Sequence, residues 1–181
     1  EGVTNLSPKS LYGLSKLKNE SYAKEFCKKS NISMIGLRFF SVYGPYGRPD
    51  MAYFKFADAI LNNKPIFLNN EGLMSRDMTF IDDIIAGIKG AIDYINNNVQ
   101  IKNEILNLGN DQPVTTLDLL REIEKRYNSH TETICVKSKN EALKTHADIT
   151  KAKNLIGYTP NVSFKDGIKI FLDWYKNYEK L

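Results

Sequence analysis

Cysteine is scarce here: Cys27 and Cys135 are the only two in 181 residues, one in an amphipathic stretch and one in a strand-like stretch. That scarcity excludes a disulfide framework or a cysteine-rich zinc site and fits two reduced, partly buried thiols in the cytosol. Histidine is as rare, and His130 and His146 stand alone in sequence, so neither is assigned a catalytic role and no metal is expected. No apolar stretch approaches the ~20 residues that cross a bilayer, and no membrane partner is expected. The opening EGVTNLSPKS has neither the basic region nor the apolar core of a secretion signal. Like charges never run to five, and the net charge of +4 is spread as alternating Lys, Glu and Asp without interleaved aromatics. Nucleic acid is excluded as a partner on that ground. Repeats and low-complexity linkers are absent too.

What is present is an ordinary globular composition, 42% hydrophobic with aromatics and aliphatics both represented, enough for one domain with a real core. Ser7 and Pro8 read as cap and first residue of an amphipathic helix that buries Leu11, Leu14, Tyr22 and Phe26 and runs to about Lys29. SMIGLRFF (33–40) reads as a buried strand that delivers its far end into the turn-rich YGPYGRPD. Residues 51–62 are helical again, and the segment 62–80 reads as two short strands around a turn. Asp82 and Asp83 open the next helix, where carboxylates suit the positive end of the dipole. EILNLGN (104–110) reads as a buried strand, and Thr115 or Thr116 caps a helix through about Tyr127. ETICVKS is strand-like, DITKAKNLIG is a short helix closed by Gly157, and a last amphipathic helix begins at Ser163. The fold class is α/β: a Rossmann-like parallel-sheet portion interrupted by a smaller α+β portion. Residues 1–40 end the sheet domain, 41–181 form mainly the second domain, and 81–110 return to the sheet.

SLYGLSK (10–16) contains the one Tyr-x-x-x-Lys of the chain. Residues four apart share a helix face, which would hold the Lys16 ammonium beside the Tyr12 phenol. A positive charge beside a phenol favours the phenolate, suiting it to accept and return a proton. The same ammonium could donate hydrogen bonds to ribose hydroxyls.

Further along come LRFFSVYGPYGRPDM, KPIFLNNEGLMSRDMTFIDDI, THADITKAKNLIGYTP and SFKDGIKIFLDWY. In order and spacing the chain from about Ser7 onwards resembles the extended short-chain dehydrogenase/reductase family. It looks most like the carboxyl-terminal portion of the nucleotide-sugar epimerases that act on UDP-glucuronate. The resemblance implies NAD as cofactor and a UDP-sugar as substrate. Tyr12 would take a proton from a sugar hydroxyl, while Lys16 would bind the nicotinamide ribose and tune the phenol. Phe40 and Val42 would line the nicotinamide pocket. Ser41 would face the sugar, where those epimerases carry threonine. Arg48 would grip the sugar carboxylate with its planar fork. Arg76 would contact the diphosphate. Glu141 would keep an acid near the ribose, although Ser138 stands where relatives carry an arginine and leaves only Lys137 or Lys139 as substitute cations. Asp77, Asp82 and Asp83 would form no metal cluster. Relatives dimerise through the Tyr12 helix, so a homodimer is expected of the full-length protein.

Such enzymes hold the cofactor pyrophosphate on a Gly-x-x-Gly-x-x-Gly turn at a helix amino end. No such triplet occurs in these residues, and only eleven residues precede Tyr12. The chain is therefore expected to be the carboxyl-terminal portion of a longer enzyme. The expected activity is C4 epimerisation of UDP-glucuronate. Decarboxylation of the same sugar, dehydration of a related one, and a non-catalytic sugar-nucleotide binding or assembly module are the alternatives. These 181 residues alone should bind NAD weakly or not at all; calorimetry that gives micromolar binding would contradict this.

Overall fold

The computed structural model describes residues 7–8, 10–30, 32–98, 103–137 and 142–178. It is a mixed α/β chain in which strands Ser41–Tyr43 and Ser75–Phe80, and strands Ile66–Asn69 and Thr133–Val136, pair in parallel. Contacts divide it into two compact units: one gathers Glu1–Arg38, Ile85–Leu108 and Asp148–Thr159, the other Phe39–Ile84, Gly109–Ala147 and Pro160–Leu181.

The first unit holds helix α1 (Leu11–Lys29), strand β1 (Met34–Phe39), the greater part of helix α3 (Ile81–Asn97), strand β5 (Asn103–Leu108) and helix α5 (Thr150–Ile156). β1 and β5 pair. Three expectations from the sequence are corrected in this unit. The cap of α1 is Ser10, whose hydroxyl accepts from Gly13 N at 3.0 Å, so the helix starts after Ser7-Pro8 and not on it. Its apolar residues are also uncovered: Leu11 is 86% exposed, Leu14, Tyr22 and Phe26 are exposed as well, and Cys27 alone in the helix is buried. β1 is likewise half-buried, not fully buried, and it stops at Phe39, one residue short of Phe40. Burial needs a second surface, and among the described residues of this unit β1 pairs with β5 alone. The part of the unit that does pack is β5 against α3 and α5. A β-carbon on Gly87 would press into Leu108 at 2.7 Å, so this glycine lets α3 lie close to β5. Lys151 on α5 ties back to Glu104 at 2.7 Å and to the Ile105 carbonyl. Gly157 closes α5 in the left-handed conformation, φ +66°, as its position after the last apolar residue predicted.

The second unit holds strand β2 (Ser41–Tyr43), helix α2 (Ala52–Leu61), strands β3 (Ile66–Asn69) and β4 (Ser75–Phe80), strand β6 (Pro113–Thr115), helix α4 (Thr116–Tyr127), strand β7 (Thr133–Val136) and helix α6 (Phe164–Tyr178). β4 is central in a three-stranded sheet, parallel to β2 and antiparallel to β6. β3 pairs in parallel with β7. The two strands read from 62–80 thus belong to different sheets, because a short 3-10 turn at Asn70–Gly72 separates them instead of a hairpin. β6, three residues that include a proline, was missed in sequence. All four β7 residues are exposed, so Cys135 is not the partly buried thiol that its apolar neighbours suggested. Thr115, one of the two candidates in the sequence, caps α4 as its hydroxyl accepts from Asp118 N at 3.0 Å, and Ser163, where the last helix was expected to begin, caps α6 by accepting from Asp166 N at 3.1 Å.

The core of this unit is aromatic. Tyr43 at the end of β2 meets Tyr53 and Phe80 edge-on at 6.0 and 5.6 Å, while Tyr53 meets Phe171 edge-on at 4.7 Å. Edge-to-face geometry sets positive ring edges on negative faces, beyond what area burial contributes. Tyr43 is 1% exposed and its hydroxyl donates to the Phe164 carbonyl at 3.3 Å. Burial, and then the nearby Asp83 and Asp166 carboxylates, push its phenol far above the ordinary value. A phenol whose folded pKa is raised favours the native state below the unfolded pKa of about 10 and loses that contribution as pH climbs through the folded value. Urea midpoints should therefore fall with alkalinity above pH ~10, and Tyr43→Phe should flatten that fall; an equally steep fall in the variant would contradict the assignment.

Candidate functional site

β4 carries the chemistry of the second unit. Successive strand residues point to opposite faces, so Asp77 and Arg76 look opposite ways. Asp77 is wholly buried. Oδ1 accepts from Asn110 N at 2.6 Å, and Oδ2 accepts from Asp111 N at 3.1 Å and Ala147 N at 2.9 Å. The Thr79 hydroxyl lies 3.4 Å from Oδ1. A buried carboxylate needs such partners, since an unpaired ion loses its hydration with nothing in return. Gly109 is required beside it: a β-carbon there would collide with the Ala147 side chain and come within 3.3 Å of Asp77 Oδ1.

The segment after 141 is laid against the start of the same strand. Ser75 N donates to the Leu143 carbonyl at 2.9 Å, Thr145 N donates to the Ser75 carbonyl at 3.1 Å, and Asp77 N reaches the Thr145 hydroxyl at 3.3 Å. The Arg76 guanidinium donates to the Ala142 carbonyl at 2.7 Å and to the Ser75 carbonyl at 3.0 Å. Arg76 lines a cleft with Ser41, Met51, Ala52, Tyr53, Met78, Val114, Thr115, Thr116 and Leu119. Its walls are mainly apolar, with a guanidinium, hydroxyls and backbone at the edge. An apolar slot beside fixed donors can hold a flat ring and an attached anion.

The sequence-predicted residues divide accordingly. Ser41 and Arg76 come together in that cleft. Arg48 does not line it: its side chain is 77% exposed and its fork engages Asp50, Nε to Oδ1 at 3.0 Å and Nη2 to Oδ2 at 2.5 Å. That guanidinium holds the Asp50 carboxyl below its usual range, so a planar carboxylate already occupies the geometry that an acidic sugar would take. Phe40 and Val42 are half-buried on either side of Ser41. Glu141 and Ser138 lie outside the described residues. In the first unit, Tyr12 is 72% exposed and Lys16 Nζ sits 5.3 Å from its ring centroid, so the pair does share one face of α1. A pocket beside it is lined by Ser7, Pro8, Gly13, Lys16, Leu17, Glu20 and Arg38.

The only sequence signal of Asp77 was an acid inside a strand between Arg76 and Met78. Asp83 does sit in the first turn of α3, but it is buried and accepts from Asn161 N and Val162 N at 2.9 and 3.1 Å, pinning the approach to α6. Among the described residues no group of three His, Cys, Asp or Glu could hold a metal ion, and no helix is long and apolar enough to cross a membrane. His146 contacts Asp111 at 2.7 Å and His130 contacts Glu124 at 3.2 Å, both at the surface.

Comparison with known proteins adds to this geometry. Residues 1–109 match the model of the NAD dependent epimerase/dehydratase family. An uncharacterised protein of Methanocaldococcus jannaschii is 43% identical over 173 residues, covering 93% of this chain and 50% of that protein. UDP-glucuronate 4-epimerase 2 of Arabidopsis thaliana is 37% identical over 193 residues, covering 96% of this chain and 43% of that protein. Among solved structures, UDP-glucuronic acid 4-epimerase from Bacillus cereus, in complex with UDP-glucuronic acid and NAD, superposes with a TM-score of 0.89 at 34% identity. It covers 96% of this chain and 55% of its own. The chain thus spans about half the length of the relatives it matches.

Proposed function

From the premise that the chain belongs to the NAD dependent epimerase/dehydratase family, we propose that it is the carboxyl-terminal part of an NAD-dependent enzyme that inverts C4 of UDP-glucuronate. The observation that carries this reading is the convergence of Ser41 and Arg76, two residues far apart in sequence, on one apolar cleft. In it the ring system of a nucleotide would lie against Met51, Met78 and Leu119, while Arg76 neutralises the diphosphate. Ser41 would hydrogen-bond the sugar. Arg48 would exchange its Asp50 partner for the sugar carboxylate, a swap of one planar acid for another. Glu141 would meet the ribose.

The residues of α1 suit the nicotinamide end of a dinucleotide. Lys16 offers three donors for ribose hydroxyls and already lies over the phenol ring. NAD, when bound, supplies the acceptor and donor of hydride that inversion at a carbinol carbon requires. Tyr12 Oη takes the proton that leaves the C4 hydroxyl on oxidation and gives it back on reduction. Phe40 and Val42 would exclude water from the nicotinamide. On this reading the unit containing α1 is the end of a dinucleotide-binding domain and the other unit is the substrate domain. The similarity to UDP-glucuronate 4-epimerases of a plant and a bacillus supports the choice of sugar.

At tenfold the Kd, UDP and UDP-glucuronate should each raise the thermal midpoint of this chain by about 3–5 °C. Arg76→Ala should abolish both shifts at those concentrations; with UDP-glucuronate and UDP-glucose at one equal concentration, Arg48→Ala should remove only the surplus shift that UDP-glucuronate gives. Indifference of the wild-type chain to every uridine nucleotide would remove the reading.

A further inference from the structure

Tyr12, Lys16 and Glu20 follow one another at intervals of four and so form a single stripe along α1. An ammonium with a carboxylate four residues further along a helix is within pairing reach of it, although the order Glu then Lys is the better one. The favoured order occurs further along the helix, where Glu25 and Lys29 meet at 2.6 Å. Glu20 is therefore a built-in competitor for the ammonium that lies over Tyr12.

The competitor is engaged elsewhere. Arg38, on β1, binds both oxygens of Glu20 in a fork, Nε to Oε1 at 2.6 Å and Nη2 to Oε2 at 2.7 Å, with the two side chains only 29% and 21% exposed. Bidentate pairing at this depth is stronger and more directional than an exposed lysine contact. It turns the carboxylate toward β1 and neutralises its charge, while Lys16, which shares the adjoining pocket with both groups, lies 5.3 Å from the Tyr12 ring centroid.

We propose that Arg38 is a positioning residue that holds Glu20 against β1 and thereby leaves the Lys16 ammonium to Tyr12. The relevance of this to catalysis rests on the proton-transfer role given to Tyr12 above; the contact itself does not. The pair would serve two ends at once, anchoring α1 on β1 and keeping a charge on the functional stripe from being quenched by its own helix.

Nitration by tetranitromethane, which attacks phenolate, reads this without cofactor or sugar. Initial rates at mildly alkaline pH are followed at Tyr12 by peptide mapping in the 181-residue chain, with the exposed Tyr46 of the other unit as internal reference. Arg38→Gln should slow Tyr12 roughly two- to fourfold, the Coulombic worth in water of one ammonium near a phenolate, and Lys16→Met should slow it by the same factor. The double variant Glu20→Gln/Arg38→Gln, which lacks the anchor but also the competitor, should return to the wild-type rate. Should Arg38→Gln lose helical ellipticity, Arg38→Lys takes its place; it keeps the charge but not the fork, and should slow Tyr12 in the same direction by less. An unchanged rate in the Arg38 variants, or equal slowing in the single and double variants, would overturn the proposal. Failure of uridine nucleotides to bind would leave these rates untouched, so the two readings fail separately.

Discussion

A carboxylate shut inside a strand organises the candidate substrate cleft. Asp77 gathers the backbone N–H groups of Asn110, Asp111 and Ala147, and so joins β4 to the turn after β5 and to the segment that runs beside the strand. Removing a carboxylate from water is costly, and three charge-assisted hydrogen bonds offset that cost only if both segments are in place. The requirement works in both directions: the loops fix the carboxylate, and the carboxylate fixes the loops. Because alternate residues face opposite ways, an inward Asp77 commits Arg76 to the cleft side, where the Ala142 carbonyl steadies its guanidinium. Gly109 belongs to the same constraint, since any side chain there would enter space already held by Ala147 and Asp77.

The two units handle their apolar residues differently. In the second unit, rings from β2, β4, α2 and α6 close on one another around Tyr43. In the first unit, α1 leaves Leu11, Leu14, Tyr22 and Phe26 uncovered, and the Glu20–Arg38 fork ties it to β1. An apolar helix face so placed carries contact area beyond what this unit uses.

Helix positions were legible wherever a local device sets them. Thr115, Ser163 and Gly157 act within a few residues of themselves, and each acts where the sequence put it. The start of α1 was misplaced because two capping serines stand three residues apart, and the choice between them falls to Ser10, which reaches Gly13 N. Strand partners were not legible: β3 and β4 are separated by only five residues yet join different sheets, a choice made by contacts with β7, β2 and β6. The same limit applies to the site. Arg76 and Ser41 stood out through motif order, but the role of Asp77 depends on residues 33 to 70 positions away, which no local pattern encodes. Arg48 was legible as a fork for a carboxylate; that Asp50, two residues on, fills the fork was not anticipated.

Amide hydrogen exchange, resolved by residue, tests the organising role of Asp77 most directly. The N–H groups of Asn110, Asp111 and Ala147 should be protected together in the wild-type chain. In Asp77→Asn they should lose that protection together, by about tenfold or more for each 1.4 kcal/mol of weakened bonding, while amides in α4 and α6 keep theirs. Exchange at those three positions that is fast in the wild type, or that slows and quickens independently at each, would contradict a single carboxylate holding β4, its neighbouring loops and the placement of Arg76.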